Sequence, residues 1–174
     1  RKSFMIPASW AGRKIYIHFG SVTSNIYLWV NGKFVGYSED SKLDCEFDLS
    51  DYLKPGAENL IAFQVFRWCD GSYLEDQDFF RFSGVVRDTY LYSRPKTHIK
   101  DIRLTPELDG EYRNASLKMQ IQLTSKASVN IELLDAEGLV VTSTELSGKK
   151  DYSLVMDVDN PKKWTAETPY LYTV

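Results

Sequence analysis

Ile26-Tyr27-Leu28-Trp29-Val30-Asn31-Gly32-Lys33-Phe34-Val35-Gly36-Tyr37 reads as a β-hairpin. Ile26, Leu28 and Val30 recur every second residue, the period of a strand with one buried face. Asn31-Gly32 follows at once, and a two-residue type I′ turn needs φ > 0 at both central positions. Phe34 to Tyr37 is the return strand. The same period runs outward in both directions. Ile15, Ile17 and Phe19 alternate with Lys14, Tyr16 and His18, and Ile61, Phe63 and Val65 share one face of a strand over Leu60–Trp68. Val85–Tyr92 predicts another strand. Phe47–Leu53 predicts a short helical turn capped by Asp48 and closed by Pro55-Gly56.

Ser93-Arg94-Pro95-Lys96 interrupts the pattern and suits a linker between compact units. The division expected is residues 1–94 and 95–174. Beyond it the alternation restarts with Ala115, Leu117, Met119, Ile121 and Leu123. Val129–Leu133, Leu139–Val141 and Tyr152–Val158 predict further strands. Short strands punctuated by turn signals indicate an antiparallel sandwich, and the second stretch is long enough for an immunoglobulin-like unit. The fold class expected is therefore all-β.

Composition agrees with a globular chain. Of 174 residues, 43% are hydrophobic and 26% charged, enough apolar material for a core. The net charge of −3 and the absence of a dense Lys/Arg run argue against nucleic acid as a partner. No apolar run approaches the roughly 20 residues of a membrane helix, so no membrane partner is expected. Arg1–Pro7 is too short for a signal peptide, and the lack of an initiator Met suggests that sequence precedes Arg1. Cys45 and Cys69 do not make a disulfide framework or a C-x-x-C metal motif. His18 and His98 read as surface or cross-strand residues. Asn114-Ala115-Ser116 is a glycosylation tripeptide of the kind that arises often by chance.

One segment stands apart. Arg67-Trp68-Cys69-Asp70-Gly71-Ser72-Tyr73-Leu74-Glu75-Asp76-Gln77-Asp78-Phe79-Phe80-Arg81-Phe82-Ser83-Gly84 sets four carboxylates among aromatic rings and two arginines. It is longer than an ordinary hairpin loop, and long loops in compact domains are often functional. A solvated acidic loop is one reading. A cation site is a second, since hard cations take oxygen ligands, but the spacing fails the EF-hand pattern. Sugar binding is a third: carboxylates accept from hydroxyl pairs while rings cover the apolar sugar face. Aromatic density favours the third over the second. A catalytic carboxylate pair must straddle the bond it cleaves, which Asp76 and Asp78, two apart on one chain, do not suggest.

These residues resemble the N-terminal region of the large β-galactosidases among the family-two glycoside hydrolases. The likeness runs through Val30–Tyr37, Glu46-Phe47-Asp48-Leu49-Ser50, Gly56 with Glu58-Asn59-Leu60, and Arg67–Asp88. Asn160-Pro161-Lys162-Lys163-Trp164 through Tyr172 resembles the end of their second domain. The resemblance implies a jelly-roll, galactose-binding-like sandwich followed by an immunoglobulin-like sandwich, with a catalytic barrel beyond Val174 supplying both catalytic glutamates. It implies no catalytic residue in this chain, and retaining hydrolysis of a terminal β-galactoside by the whole enzyme. Asp78 matches the family aspartate that contacts galactose and helps bind a monovalent cation, commonly sodium. Sodium and magnesium are expected only in the complete enzyme, with the magnesium ligands on the barrel. A homo-oligomer is compatible with the family. Phe79-Phe80 stands where relatives carry Met-Trp. Arg67, Trp68, Arg81 and Arg87 read as bracing residues, and Trp164 and Tyr170 as packing for the second sandwich. An independent carbohydrate-binding module, or the matching domains of a β-glucuronidase or β-mannosidase, are the alternatives.

Overall fold

The computed structural model describes residues 1–40, 43–75, 78, 80 and 82–174. The chain is all-β apart from short helical segments and divides into two units, Arg1–Lys96 and Thr97–Val174.

The first unit contains β1 (Lys2–Met5), β2 (Lys14–Phe19), β3 (Val22–Thr23), β4 (Asn25–Val30), β5 (Lys33–Glu39), β6 (Cys45–Asp48), β7 (Glu58–Phe66), α1 (Asp70–Leu74), β8 (Gly84–Val85) and β9 (Thr89–Arg94). One sheet has the order β1-β7-β4-β5, a second β6-β2-β9, and β3 pairs with β8. All of these pairings are antiparallel. Alternate residues of the two larger sheets form one core: Ile26, Leu28, Val30 and Ile61 from the first, Ile15, Ile17 and Phe19 from the second. Ile6, Val22, Leu49 and Leu53 close its margins. Each such side chain contributes about 1.5–3 kcal/mol on burial, which is why the period of two decides the layering.

The hairpin forms as its sequence predicts. Asn31 and Gly32 have φ of 51° and 78°, and Val30 pairs with Lys33. Gly36 serves a different purpose. A Cβ there would lie 2.9 Å from the Phe47 ring, so the absence of a side chain lets β5 approach Phe47. Three predicted elements are revised. Phe47 and Asp48 belong to β6, and the turn begins only at Leu49, where Leu53 N donates to Leu49 O at 3.1 Å. Asp48 does brace that turn, accepting from Ser50 N at 2.9 Å and from Lys14 Nζ at 2.8 Å. β7 stops at Phe66, and Val85–Tyr92 is split between β8 and β9.

The second unit contains β10 (Ile99–Leu108), β11 (Ala115–Leu134) and β12 (Val140–Val158), ordered β10-β11-β12. Periodicity predicts four strands after Ala115; the structure joins them into two long ones. Their register shifts between Gln122 and Ala127 and again before Val129. There the pair bends, and both halves send apolar side chains into one core: Met119, Ile121 and Leu123 from one, Ile131 and Leu133 from the other. A shifted register releases backbone groups that must find partners. The Tyr152 hydroxyl supplies them, donating to Ala127 O at 2.6 Å and accepting from Lys149 N at 3.1 Å. An isolated antiparallel bridge joins Leu134 to Thr173. Tyr170 is half-buried and donates to Glu137 at 3.0 Å, whereas Trp164 is 60% exposed, against the expectation that it packs the core.

The turn between β10 and β11 is organised by Asp109, whose carboxylate accepts from the amides of Arg113 (2.8 Å), Asn114 (2.8 Å) and Glu111 (3.1 Å). The Arg113 amide first, then that of Asn114, holds this carboxyl below the usual range. A depressed folded pKa gives a contribution present above the unfolded value of about 3.9 and lost as pH falls through the folded value. The Arg113 and Asn114 amide resonances should therefore titrate with a midpoint below about 3.9. A midpoint at or above that value contradicts the assignment.

Candidate functional site

The segment after β7 is held at both ends by one stretch of chain, Val22–Ser24. At its start, the buried Ser24 donates its amide to Phe66 O at 3.1 Å and its hydroxyl to Arg67 O at 2.8 Å. At its end, Val22 pairs with Val85 and Thr23 with Gly84. The loop thus leaves the sandwich and returns to it at the same place.

Its first part is ordered by a short helix. Cys69, extended at φ −149°, precedes α1, and Ser72 three residues later accepts from Cys69 N at 3.1 Å. This is the return half of a capping box, which satisfies a backbone donor at a helix start. The Ser72 hydroxyl donates in turn to Ser24 Oγ at 2.8 Å. Glu39, at the end of β5, accepts from Gly71 N at 2.7 Å and from the Tyr37 hydroxyl through a short hydrogen bond. The Tyr37 hydroxyl first, then the Gly71 amide, then Cys69, lowers the Glu39 carboxyl from its usual range; the same bond pushes the Tyr37 hydroxyl up. Glu39 is thereby kept as the anion that accepts both hydrogen bonds.

The outer part of the loop presents rings and a carboxylate to solvent. Trp68 and Tyr73 stack with centroids 6.2 Å apart, and the Arg67 guanidinium lies 5.3 Å from the Trp68 ring centre. Phe80 and Phe82 stack at 5.6 Å. Tyr73, Leu74, Phe80, Phe82 and Asp78 are all exposed. Asp70 opens α1, and Glu75 ends it, its amide donating to Gly71 O at 2.8 Å. Asp76, Gln77, Phe79 and Arg81 lie outside the described residues. Among the described residues, no group of three His, Cys, Asp or Glu side chains could hold a metal ion. An exposed carboxylate in a loop that also exposes rings can accept from a pair of hydroxyls, or give one ligand to a cation.

Three other residues singled out by sequence, Arg87, His18 and His98, make contacts within the fold. Arg87 packs over Gly20, where a Cβ would meet Arg87 Cβ at 3.0 Å. His18 bridges strands, with Nδ1 3.0 Å from Glu46 and its ring stacked on Tyr90 at 4.7 Å. His98 receives its structural contact through its backbone, donating N–H to Thr124 Oγ1 at 3.0 Å. Sequence reasoning missed Ser24 and Glu39 as anchors of the loop. They lie 48 and 32 residues from their partners Ser72 and Gly71, and no local spacing signals them.

The sequence profile described as "Glycosyl hydrolases family 2, sugar binding domain" matches residues 1–95, and "Glycosyl hydrolases family 2" matches residues 97–174. The chain belongs to glycosyl hydrolase family 2. It is 40% identical to a β-galactosidase of Priestia megaterium, covering 99% of this chain and 18% of that protein. It is 42% identical to a β-galactosidase of Halalkalibacterium halodurans, covering 98% and 17%. It superimposes on the β-glucuronidase from Ruminococcus gnavus in complex with uronic deoxynojirimycin with a TM-score of 0.84, at 28% identity over 98% of this chain and 31% of that one. The chain thus spans under a fifth of the length of these β-galactosidases.

Proposed function

We propose that this chain is the non-catalytic N-terminal part of a retaining β-galactosidase and contributes the Asp78 loop to an active site built on a catalytic barrel. The observation that carries the proposal is the loop itself: anchored at both ends on Val22–Ser24, and exposing both the Asp78 carboxylate and the Tyr73, Phe80 and Phe82 rings. Retaining hydrolysis needs two carboxyl groups about 5–5.5 Å apart, and these belong to the barrel. Asp78 accepts hydrogen bonds from galactose hydroxyls and positions the sugar ring. Such bonds accelerate the reaction to the extent that they tighten in the transition state. Sodium fits only in part, because Asp78 offers a single carboxylate; the other ligands, and all magnesium ligands, lie on the rest of the enzyme. Assembly into a homo-oligomer is compatible with this role.

Identity of 40–42% with β-galactosidases, against 28% with the β-glucuronidase, favours a galactoside as substrate. An independent carbohydrate-binding module is the second reading, supported by the exposed Tyr73, Phe80 and Phe82. Calorimetric titration of galactose and a β-galactoside into the purified chain, with and without sodium, separates the two. The expected result is no detectable binding. Sub-millimolar binding that Asp78→Ala abolishes would overturn the proposal in favour of the module.

A further inference from the structure

β4 is apolar on both faces. Ile26, Leu28 and Val30 enter the core, while Tyr27 and Trp29 point the other way. On that outer face Tyr27 meets Tyr37 at 4.6 Å, Phe66 at 5.9 Å and Phe34 at 6.4 Å, and Trp29 meets Phe34 at 5.5 Å. Phe34, Tyr37 and Phe66 are still 51%, 42% and 46% exposed. An antiparallel strand with a solvated face ordinarily alternates apolar and polar side chains, and β4 does not. Contiguous exposed apolar patches of this kind mark interaction sites, and Tyr, Trp and Phe are the residues enriched in interface centres.

We propose that this aromatic face of the β4–β5–β7 sheet docks against the catalytic portion of the complete hydrolase. The inference rests on the reading that the chain is one part of a longer enzyme. Two observations select this occupant. The face is continuous with the loop assigned to the active site, because Tyr37 binds Glu39 and Glu39 binds the Gly71 amide; a body that receives the loop lies next to the face. The β-galactosidases it resembles devote more than four-fifths of their length to other parts, ample protein to cover it. Within the face Tyr27 and Trp29 lie nearly parallel at 21°, while Phe34, Tyr37 and Phe66 tilt against them at 57°, 52° and 82°, so the rings interlock as in a protein core.

Hydroxyl-radical footprinting read by mass spectrometry tests the proposal in the isolated chain and in the complete enzyme. Phe34, Tyr37 and Phe66 should be oxidised at least about fivefold more slowly in the complete enzyme, as rings in a water-excluded interface core are. Phe34→Asp should lower the melting temperature of the complete enzyme by more than that of the isolated chain, where the ring loses only its contacts with Tyr27 and Trp29. Equal oxidation in both proteins overturns the proposal. So does protection of the isolated chain that grows with its concentration, which identifies a second copy, or protection by added galactoside or polysaccharide, which identifies a sugar site. If the rings are protected while Asp78→Ala is silent in activity, the loop assignment fails and the docking face stands.

Discussion

In the complete hydrolase, Asp78→Ala is expected to lower kcat/KM for an aryl β-galactoside by about 100-fold, corresponding to about 3 kcal/mol. Hydrogen bonds to a charged acceptor are worth about 1.5–3 kcal/mol each, and an exposed carboxylate on an anchored loop can accept from two sugar hydroxyls at once. Asp78→Asn retains an acceptor but loses the charge, so its loss is smaller. Both variants should also blunt the response of activity to sodium if Asp78 is the ligand proposed for it. Melting of the first unit stays unchanged, since the side chain is exposed. The measurement is steady-state kinetics across a sodium series with the melting curve as control. Wild-type kcat/KM in Asp78→Ala would remove the loop from the active site.

What could be read from the sequence follows from the range of each interaction. The β4–β5 hairpin was legible because Asn31-Gly32 acts over two residues and Ile26, Leu28 and Val30 repeat a local period. The all-β class followed from the same period elsewhere. The fusion of four predicted strands into β11 and β12 was not legible. Ser125-Lys126-Ala127 carries turn-like residues, and long-range hydrogen bonds from the Tyr152 hydroxyl and from Thr97 hold the chain through the register shift. Asp78 was reached through family resemblance; no local feature separates it from Asp70 or Glu75. The anchors of its loop, Ser24 and Glu39, are short- and medium-length polar side chains of ordinary type. Their importance comes from tertiary contacts across more than 30 residues, which periodicity does not register.

Asn59→Ala is expected to destabilise the first unit by about 3–4 kcal/mol, a large share of the 5–15 kcal/mol that holds a typical domain. Asn59 is 1% exposed, yet every polar atom of its amide is engaged. Oδ1 accepts from Asn31 Nδ2 and Lys54 N, both at 2.8 Å. Nδ2 donates to Lys54 O at 3.0 Å and Ala57 O at 2.9 Å. Truncation strips partners from buried backbone groups, at about 1 kcal/mol or more for each. It also loosens the hairpin, because Asn31 Oδ1 accepts from Leu60 N at 2.9 Å and its Nδ2 donates to Tyr52 O at 2.8 Å. The network therefore ties the β4–β5 turn to the Leu49–Asn59 connection at one end of the sandwich. Asn59→Asp preserves shape but sets an acceptor against the Lys54 and Ala57 carbonyls, so it should be at least as damaging. Because Asn31 and Asn59 share a hydrogen bond, Asn31→Ala and the double variant should be non-additive by at least about 0.5 kcal/mol. Urea unfolding followed by amide signals of each unit measures this, with the second unit as internal control. A shift below about 1 kcal/mol in the first unit would mean that water replaces these bonds and that the buried amide is not what secures the turn.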